Sequence, residues 1–202
     1  MKRKIILTAF LGIVSVFVTT SLSFAQNRRQ EAQKVVWSLD AGASLNGIMD
    51  SGKVGVLTGG GQVSAVAMVL PQLGFRAGVG LGAIRSVKGD SAWRFGDKAA
   101  FGATISLDVM WDIISTFSKN THKPYTIQPF LRIASQMGGA DRQVAMSLGL
   151  GGGIRQVFRI NDHIGILWDL NALASKESAW KNTDGMMLWG QTVVGISYTF
   201  GK

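Results

Sequence analysis

Hydrophobic and polar residues alternate with a period of two along most of the chain. Over residues 35–45 the odd positions are apolar and most even positions are small or polar. The same alternation recurs over residues 101–111, 164–172 and 194–200. A period of two is typical of a β-strand with one apolar and one polar face. The pattern therefore predicts an all-β protein.

Turn-like clusters divide this pattern into eight strands. We expect them at about 35–45, 61–70, 73–86, 99–113, 124–136, 144–160, 164–175 and 187–200. The connectors are tight at 71–72 and 161–163 and somewhat longer at 118–123, whereas 46–60, 87–98, 137–143 and 176–186 are mostly long and polar. An even strand count and this alternation of connectors are typical of an outer-membrane barrel. The predicted fold is an eight-stranded antiparallel up-and-down transmembrane β-barrel, whose closure removes exposed strand edges.

The first 25 residues have the three-part layout of an export signal. Residues 2–4 are basic, an apolar run follows over residues 5–18, and Ser23 and Ala25 place small residues at the −3 and −1 positions of a cleavage site. We expect cleavage after Ala25.

This cleavage would divide the chain into a signal peptide (1–25), a periplasmic N-terminal arm (26–34) and an outer-membrane β-barrel (35–202). The alternative is an uncleaved anchor, because residues 5–25 are just long enough to span a bilayer. Further along the chain there is no long apolar run, which excludes a helical membrane protein.

The amino-acid composition excludes several further classes of protein. The chain has 202 residues, 26 glycines and no cysteine, with 47% hydrophobic and 16% charged residues. Disulfide scaffolds and cysteine-based zinc or redox centres are thereby excluded, and disorder is disfavoured. The formal charge of +9 includes three basic residues of the export segment, which leaves +6 for the rest. This basic balance therefore does not indicate nucleic-acid binding.

Aromatic residues gather at one rim of the predicted barrel, on the apolar face by parity. If the N-terminus lies in the periplasm, they form the aromatic girdle expected where the lipid-facing band meets the headgroups. Trp168 lies in the middle of its strand and does not fit. The predicted girdle consists of Trp37, Phe75, Trp111, Tyr125, Phe158, Tyr198 and Phe200.

The chain resembles the small eight-stranded outer-membrane barrels of the OmpA/OmpX type. Residues 195–200, Gly-Ile-Ser-Tyr-Thr-Phe, are similar to the C-terminal insertion signal of that group. Val193 departs from it, since a polar residue is usual there, and Gly201 and Lys202 extend past the terminal aromatic residue. The Ala25–Gln26 junction and the glycine-rich strands resemble versions from the Bacteroidota. The resemblance implies export to a bacterial outer membrane, contact with its lipid and lipopolysaccharide, and insertion by outer-membrane assembly machinery.

The inward face of the predicted barrel carries balanced charges. A hairpin turn centred on Asp162 places Arg155 opposite Asp169, and a turn near residue 120 places Asp108 opposite Arg132. An eight-stranded lumen is just wide enough for side chains to fill, and buried charges are tolerated when paired. We expect a polar plug; the alternative is a gated path for protons or small ions. The predicted lumen charges are Asp40, Asp108, Asp112, Asp169, Arg76, Arg132, Arg155 and Arg159.

The connector between the third and fourth predicted strands is basic and aromatic. Arg85, Lys88, Arg94 and Lys98 could bind lipopolysaccharide phosphates, with Trp93 and Phe95 resting in the headgroup zone. The alternative is an ordinary loop of mixed charge.

Catalytic chemistry has little support in the sequence. The two histidines, His122 and His163, fall in predicted periplasmic turns, and no His, Asp or Glu cluster has metal-ligand spacing. We therefore expect a non-enzymatic barrel without a cofactor, acting in envelope integrity or surface interaction through its extracellular loops. A lipid-modifying enzyme of the outer leaflet, an accessory barrel of a secretion or assembly apparatus, and a soluble lipocalin-like barrel stay open as alternatives.

Overall fold

In the computed structural model the chain forms a closed antiparallel β-barrel. The structure describes residues 35–50, 53–54, 57–85, 93, 95, 99–117, 124–140, 143–176, 178, 180–181 and 185–200. The expected signal peptide (1–25) and N-terminal arm (26–34) lie outside these residues.

Nine strands and one short helix follow one another along the described part of the chain. Antiparallel pairing runs in sequence order, and β1 also pairs with β9, which closes the barrel. β2 pairs only with the end of β1, so the barrel wall consists of β1 and β3 to β9. The predicted all-β, eight-stranded barrel is confirmed. The elements are β1 (Val36–Asp50), β2 (Lys53–Val54), β3 (Thr58–Met68), β4 (Leu73–Ile84), β5 (Ala100–Trp111), α1 (Ile113–Phe117), β6 (Tyr125–Ala140), β7 (Gln143–Arg159), β8 (Ile164–Lys176) and β9 (Met186–Phe200).

Two strands are longer than the sequence predicts. β1 ends at Asp50 instead of near residue 45, and β6 ends at Ala140 instead of near residue 136. Pairing explains the difference, since Ile48 lies opposite Trp189 on β9 and Gly139 lies opposite Phe101 on β5. Parts of 46–60 and 137–143, expected as long polar connectors, are therefore strand. Among the described residues no helix has the length and hydropathy needed to cross a membrane.

The barrel has two distinguishable ends. Trp37 at the start of β1 lies opposite Phe200 at the end of β9, and we call this the terminal end. The connections 69–72, 112–124 and 160–163 also lie there. The other end, which we call the loop end, has the connections 51–57, 85–99, 141–142 and 177–185.

The two faces of the barrel wall differ sharply in chemistry. On β5, Leu107 exposes 65% of its surface and Val109 48%, whereas Asp108 between them exposes 3%. Exposed large apolar side chains occur on all eight strands of the wall, while most buried polar side chains point inward. The period of two thus places the apolar rows outside and the charged rows in the lumen.

Candidate functional site

A network of buried ion pairs crosses the lumen. Arg76 on β4 donates from Nε to Asp108 Oδ2 at 2.5 Å, and its Nη1 donates to Asp169 on β8. Three strands separate β4 from β8 in both directions around the wall, so Arg76 joins opposite sides of the barrel. Arg132 on β6 completes this part with two bonds to Asp108, of 2.8 and 3.0 Å.

A second part of the network joins β7 to β1. Arg155 donates from Nε to Asp40 Oδ2 at 2.8 Å and from Nη2 to Asp40 Oδ1 at 2.7 Å. The same guanidinium also donates to Gln128 on β6 and to Ser197 Oγ on β9. With these partners Arg155 connects four strands, and a planar guanidinium is well suited to such divided contacts.

Phe130 lies between two of the arginines. The Cζ atom of Arg76 is 4.4 Å from the centre of its ring, and that of Arg132 is 5.0 Å away. A cation over an aromatic face is attracted by the ring quadrupole, most strongly where water is excluded. Phe130 also packs with Val66 and Met110 in an apolar layer of the lumen. It therefore joins that apolar layer to the charged network.

Amide side chains extend the network toward the loop end. Asn171 Nδ2 donates to Asp169 Oδ1 and to Gln191 Oε1, both at 3.1 Å, and Gln191 Nε2 donates to Asn46 Oδ1 at 2.9 Å. We call Asn171, Gln191 and Asn46 the amide belt. The sequence reasoning missed these residues, because it followed charge and chemistry along the inward rows and passed over neutral amides.

Strand register and side-chain contact agree for only one of the two expected pairs. Asp108 lies opposite Arg132 in the β5–β6 register and bonds to it. Arg155 lies opposite Asp169 in the β7–β8 register, yet it bonds to Asp40 instead. Long arginine side chains reach across a narrow lumen, so the nearest carboxylate in space is not the nearest in register.

Two of the eight expected lumen charges take other positions. Asp112 is buried beside α1, where its Oδ1 accepts a hydrogen bond from Ser115 N at 2.9 Å, as an N-cap residue does. Arg159 is half-buried at the terminal end of β7, opposite Gly165. In the described contacts the charged network consists of Asp40, Asp108, Asp169, Arg76, Arg132 and Arg155, with a formal charge of zero.

Aromatic side chains fill the lumen at the loop end. Trp93 and Trp180 stack with centroids 6.1 Å apart, Phe95 meets both edge to face, and Trp189 meets Trp180 at 5.1 Å. We call these four residues the aromatic cluster. Trp93 also pairs with Lys181 in an isolated antiparallel β-bridge, so the β4–β5 and β8–β9 connections are in contact here. The expectation that Trp93 and Phe95 rest in the headgroup zone was wrong: they are 3% and 7% exposed, because this cluster buries them.

Gly138 makes room for the aromatic cluster. A Cβ atom added at Gly138 would lie 2.4 Å from Trp180 Cζ3, well inside contact distance. Inward parity on β9 marks Trp189 as a lumen residue, so the sequence carries a signal for it. For Trp180, outside the strands, the periodic pattern carries none.

The seven residues of the expected girdle all lie toward the terminal end. Tyr125 is opposite Phe158 and their rings are 4.3 Å apart, and Trp37 is opposite Phe200. Trp111 and Tyr125 are half-buried and the other five are exposed. Trp168 is also exposed, and its Nε1 donates to Thr192 Oγ1 at 3.1 Å.

Two of the remaining candidates, Arg85 and His163, lie at opposite ends of the wall. Arg85 is exposed after β4 at the loop end, while Lys88, Arg94 and Lys98 lie outside the described residues. His163 is exposed in the turn between β7 and β8. Its Nδ1 atom is 3.1 Å from Thr199 O, and its ring stacks on Tyr198. His122 lies outside the described residues. In the described part of the chain, no group of three His, Asp or Glu side chains could hold a metal ion.

Solved structures supply the comparison with known proteins. Neisserial surface protein A (NspA) superposes with a TM-score of 0.59 at 13% identity, and a major outer membrane protein of Thermus thermophilus with 0.55 at 19%. Ail, the attachment invasion locus protein of Yersinia pestis, superposes with 0.52 at 12%. Each match covers 83% of this chain and 100% of the other. The chain has the fold of the small outer-membrane β-barrels. No family model and no curated protein sequence matches it.

Proposed function

We propose that the protein is an integral outer-membrane β-barrel without enzymatic activity, closed by its own side chains. Its terminal end faces the periplasm, and its loop end acts in envelope integrity or surface interaction. The observation that carries the proposal is the division of the wall into exposed apolar rows and buried, paired charges.

The outward rows support a hydrocarbon environment. Ile105, Leu107 and Val109 of β5 are each about half exposed or more, and similar side chains continue around the wall. Contiguous apolar patches on soluble monomers rarely exceed a few hundred Å². Here the apolar surface encircles the molecule, which would be costly in water and is favourable against lipid. A soluble lipocalin-like barrel would need the opposite arrangement.

The lumen contacts support a plug. Arg76 spans the lumen between Asp108 and Asp169 and lies over the Phe130 ring, and the charges of the network cancel. The aromatic cluster and the layer of Val66, Met110 and Phe130 add two apolar barriers along the same path. A conducting pore would need a continuous wet passage through all three. We therefore propose a structural role for the network and no transport of ions.

The loop end supports a role at the cell surface. Of the barrels with this fold, the Yersinia protein is named the attachment invasion locus protein and the neisserial one is named a surface protein. Arg85 places an exposed guanidinium at this end, where lipopolysaccharide phosphates would lie. We propose outer-membrane lipid and lipopolysaccharide as the immediate partners, after export by a signal peptide and insertion by outer-membrane assembly machinery.

Fractionation tests the membrane assignment. We expect the protein in the carbonate-insoluble outer-membrane fraction, and we expect it to migrate faster on a gel before heating than after, as folded barrels do. Recovery from the soluble periplasm, with migration unchanged by heating, would reject the proposal.

Planar-bilayer recordings test the plug. We expect no unitary currents from the purified protein, in the wild type and in Asp169→Asn alike, because the apolar barriers persist in both. Unitary currents in the wild type that change in the Asp169 variant would indicate an ion path.

Lipid analysis tests the absence of enzymatic activity. Mass spectra of lipid A from deletion and overexpressing strains are expected to be identical. A change in acyl pattern on overexpression would favour a lipid-modifying enzyme. Crosslinking that finds a defined multiprotein complex would favour an accessory barrel of a secretion or assembly apparatus.

A further inference from the structure

The helix α1 is attached to the rim of the barrel at the terminal end. Asp112, immediately before the helix, donates from its backbone N to Gln72 O at 2.8 Å in the neighbouring β3–β4 turn, and its side chain accepts from Ser115 N. The helix also contacts β6. A five-residue helix is only about 7.5 Å long, so α1 stays close to the level of the rim.

One side of α1 is apolar and the other is polar. Successive residues of a helix are about 100° apart around its axis. The three apolar residues, Ile113, Ile114 and Phe117, therefore share an arc of roughly 100°, which we call the apolar face of α1. Ser115 and Thr116 lie outside this arc. Because the helix contains no charged residue, its apolar face can enter an apolar medium without burying a charge.

Phe117 has little cover within the protein. It is 81% exposed, the highest fraction among the large apolar residues of the described part of the chain. Ile113 and Ile114 are half-buried. An aromatic ring left in water forgoes the free energy that its burial would supply. Contact with an apolar medium would therefore stabilise this ring.

The position of α1 favours lipid as that medium. β5 ends at Trp111 and β6 begins at Tyr125, two residues of the aromatic girdle, and α1 lies in the connection between them. Such a girdle marks the level at which the lipid-facing band meets the headgroups. The interfacial layer of a bilayer is roughly 5–8 Å thick on each side, which is close to the length of α1.

The size of the apolar face argues against a protein partner. A stable protein interface takes about 800 Å² from each partner. A phenylalanine side chain supplies about 150–250 Å², and the two isoleucines beside it are already half-buried. A lipid surface has no such minimum, because it contacts the rest of the barrel wall as well.

We propose that the apolar face of α1 is a lipid contact in the headgroup zone of the leaflet at the terminal end. Phe117 points toward the acyl chains, and Ser115 and Thr116 point toward water, as in other helices that lie in a membrane interface. The helix thereby holds the rim at the level of the headgroups. This inference rests on the proposed function, because it requires the terminal end to lie in a bilayer.

Site-directed spin labelling tests the contact, because the chain contains no cysteine of its own. Phe117→Cys and Thr116→Cys place the label on the two sides of α1. Leu107→Cys places it on the exposed apolar row of β5, and Asp162→Cys places it in an exposed turn at the terminal end. The labelled barrels are refolded in lipid vesicles. Power saturation then measures the access of each label to oxygen, which is concentrated in lipid, and to a polar nickel chelate in water.

We expect the nickel chelate to reach the label of Phe117→Cys several-fold less than the labels of Thr116→Cys and Asp162→Cys. Equal access at Phe117 and Thr116, or access at Phe117 as high as at Asp162, would overturn the proposal. The Leu107→Cys label tests the wall separately. If it has the oxygen access of a lipid-facing site while the Phe117 label is in water, only the α1 contact is rejected. Water-like access at Leu107 would reject the proposed function, and the α1 contact with it.

Photo-crosslinking in cells keeps an aromatic ring at the position and identifies what it touches. We expect p-benzoylphenylalanine in place of Phe117 to form an adduct with phospholipid, as the same residue should in place of Leu107. A protein adduct at Phe117 would indicate a periplasmic protein partner and would overturn the proposal. Absence of a lipid adduct at Phe117 would also overturn it.

Discussion

Arg155 and Asp40 are joined by two hydrogen bonds across the lumen, although two other strands, β8 and β9, separate β7 from β1. The two residues are 115 positions apart in the chain. Their side chains are 4% and 2% exposed, so the pair is removed from both water and lipid. It links the first strand of the barrel to one of the last, and it can form only when the wall is closed.

Removing one member of this pair should be strongly destabilising. Asp40→Ala leaves the Arg155 guanidinium buried without its carboxylate, and breaking such a pair costs about 3–5 kcal/mol. The double variant Asp40→Ala with Arg155→Met should recover much of that loss, because no uncompensated charge is left. Urea unfolding in lipid vesicles measures the stability of the single and the double variant. Arg85→Ala, at an exposed position, is the control and should change stability by less than about 0.5 kcal/mol. Strictly additive effects of the two substitutions would contradict the pairing.

Gly138→Ala should open the aromatic cluster. The added methyl group would overlap the Trp180 ring, and forcing extra volume into a packed site costs about 1–3 kcal/mol. We expect acrylamide to quench tryptophan fluorescence more strongly in this variant than in the wild type. Gly59→Ala, with open space at its Cβ, should leave quenching unchanged. Identical quenching in all three proteins would mean that Trp180 does not pack against β6.

Ile105→Arg should lower the free energy of unfolding of the barrel, because Ile105 is expected to contact lipid. Ile105 is half exposed near the middle of β5, where an arginine facing lipid costs about 2–4 kcal/mol. Phe101→Arg, near the loop end of the same strand, should cost only about 0–1 kcal/mol. Unfolding in vesicles compares the two. Equal costs at both depths would contradict a lipid-facing outer surface.

Salt should have little effect on stability. Surface charges are screened over a Debye length of about 10 Å at 0.1 M salt, but buried pairs are screened much less. Because the pairs of Arg76, Arg132 and Arg155 have side chains at most 4% exposed, the urea midpoint should be nearly constant between about 0.05 and 0.5 M NaCl. A marked fall with salt would indicate that the network is open to solvent.

Strand parity could be obtained from the sequence because it depends only on local backbone geometry. A strand turns successive side chains to opposite faces, so Asp40, Asp108 and Asp169 could be assigned to one face without knowledge of their neighbours. Hairpin arithmetic extended this to the Arg155–Asp169 register, which the β7–β8 pairing reproduces. Parity also placed Asp112 on the inward face, where it caps α1 instead of joining the charged network.

The aromatic cluster could not be predicted from local sequence patterns. Trp93 and Trp180 come from two connections that the strand period does not describe. Their stacking depends on the two connections folding into the same lumen and on Gly138 leaving space for a ring. From the sequence alone, a loop tryptophan that packs inside the lumen cannot be distinguished from one that lies in a lipid headgroup zone.

The sequence by itself determined which residues share a face of the barrel wall, since alternation is a property of each strand, and the structure shows which of the two faces is the lumen. Hairpin register in the sequence placed Arg132 opposite Asp108, but only the tertiary structure decided the partners of Arg76 and Arg155. Arg76 reaches Asp169 and Arg155 reaches Asp40 because ring closure brings distant strands within one side-chain length. That distance depends on the curvature and tilt of the whole wall, and no single strand or hairpin carries this information.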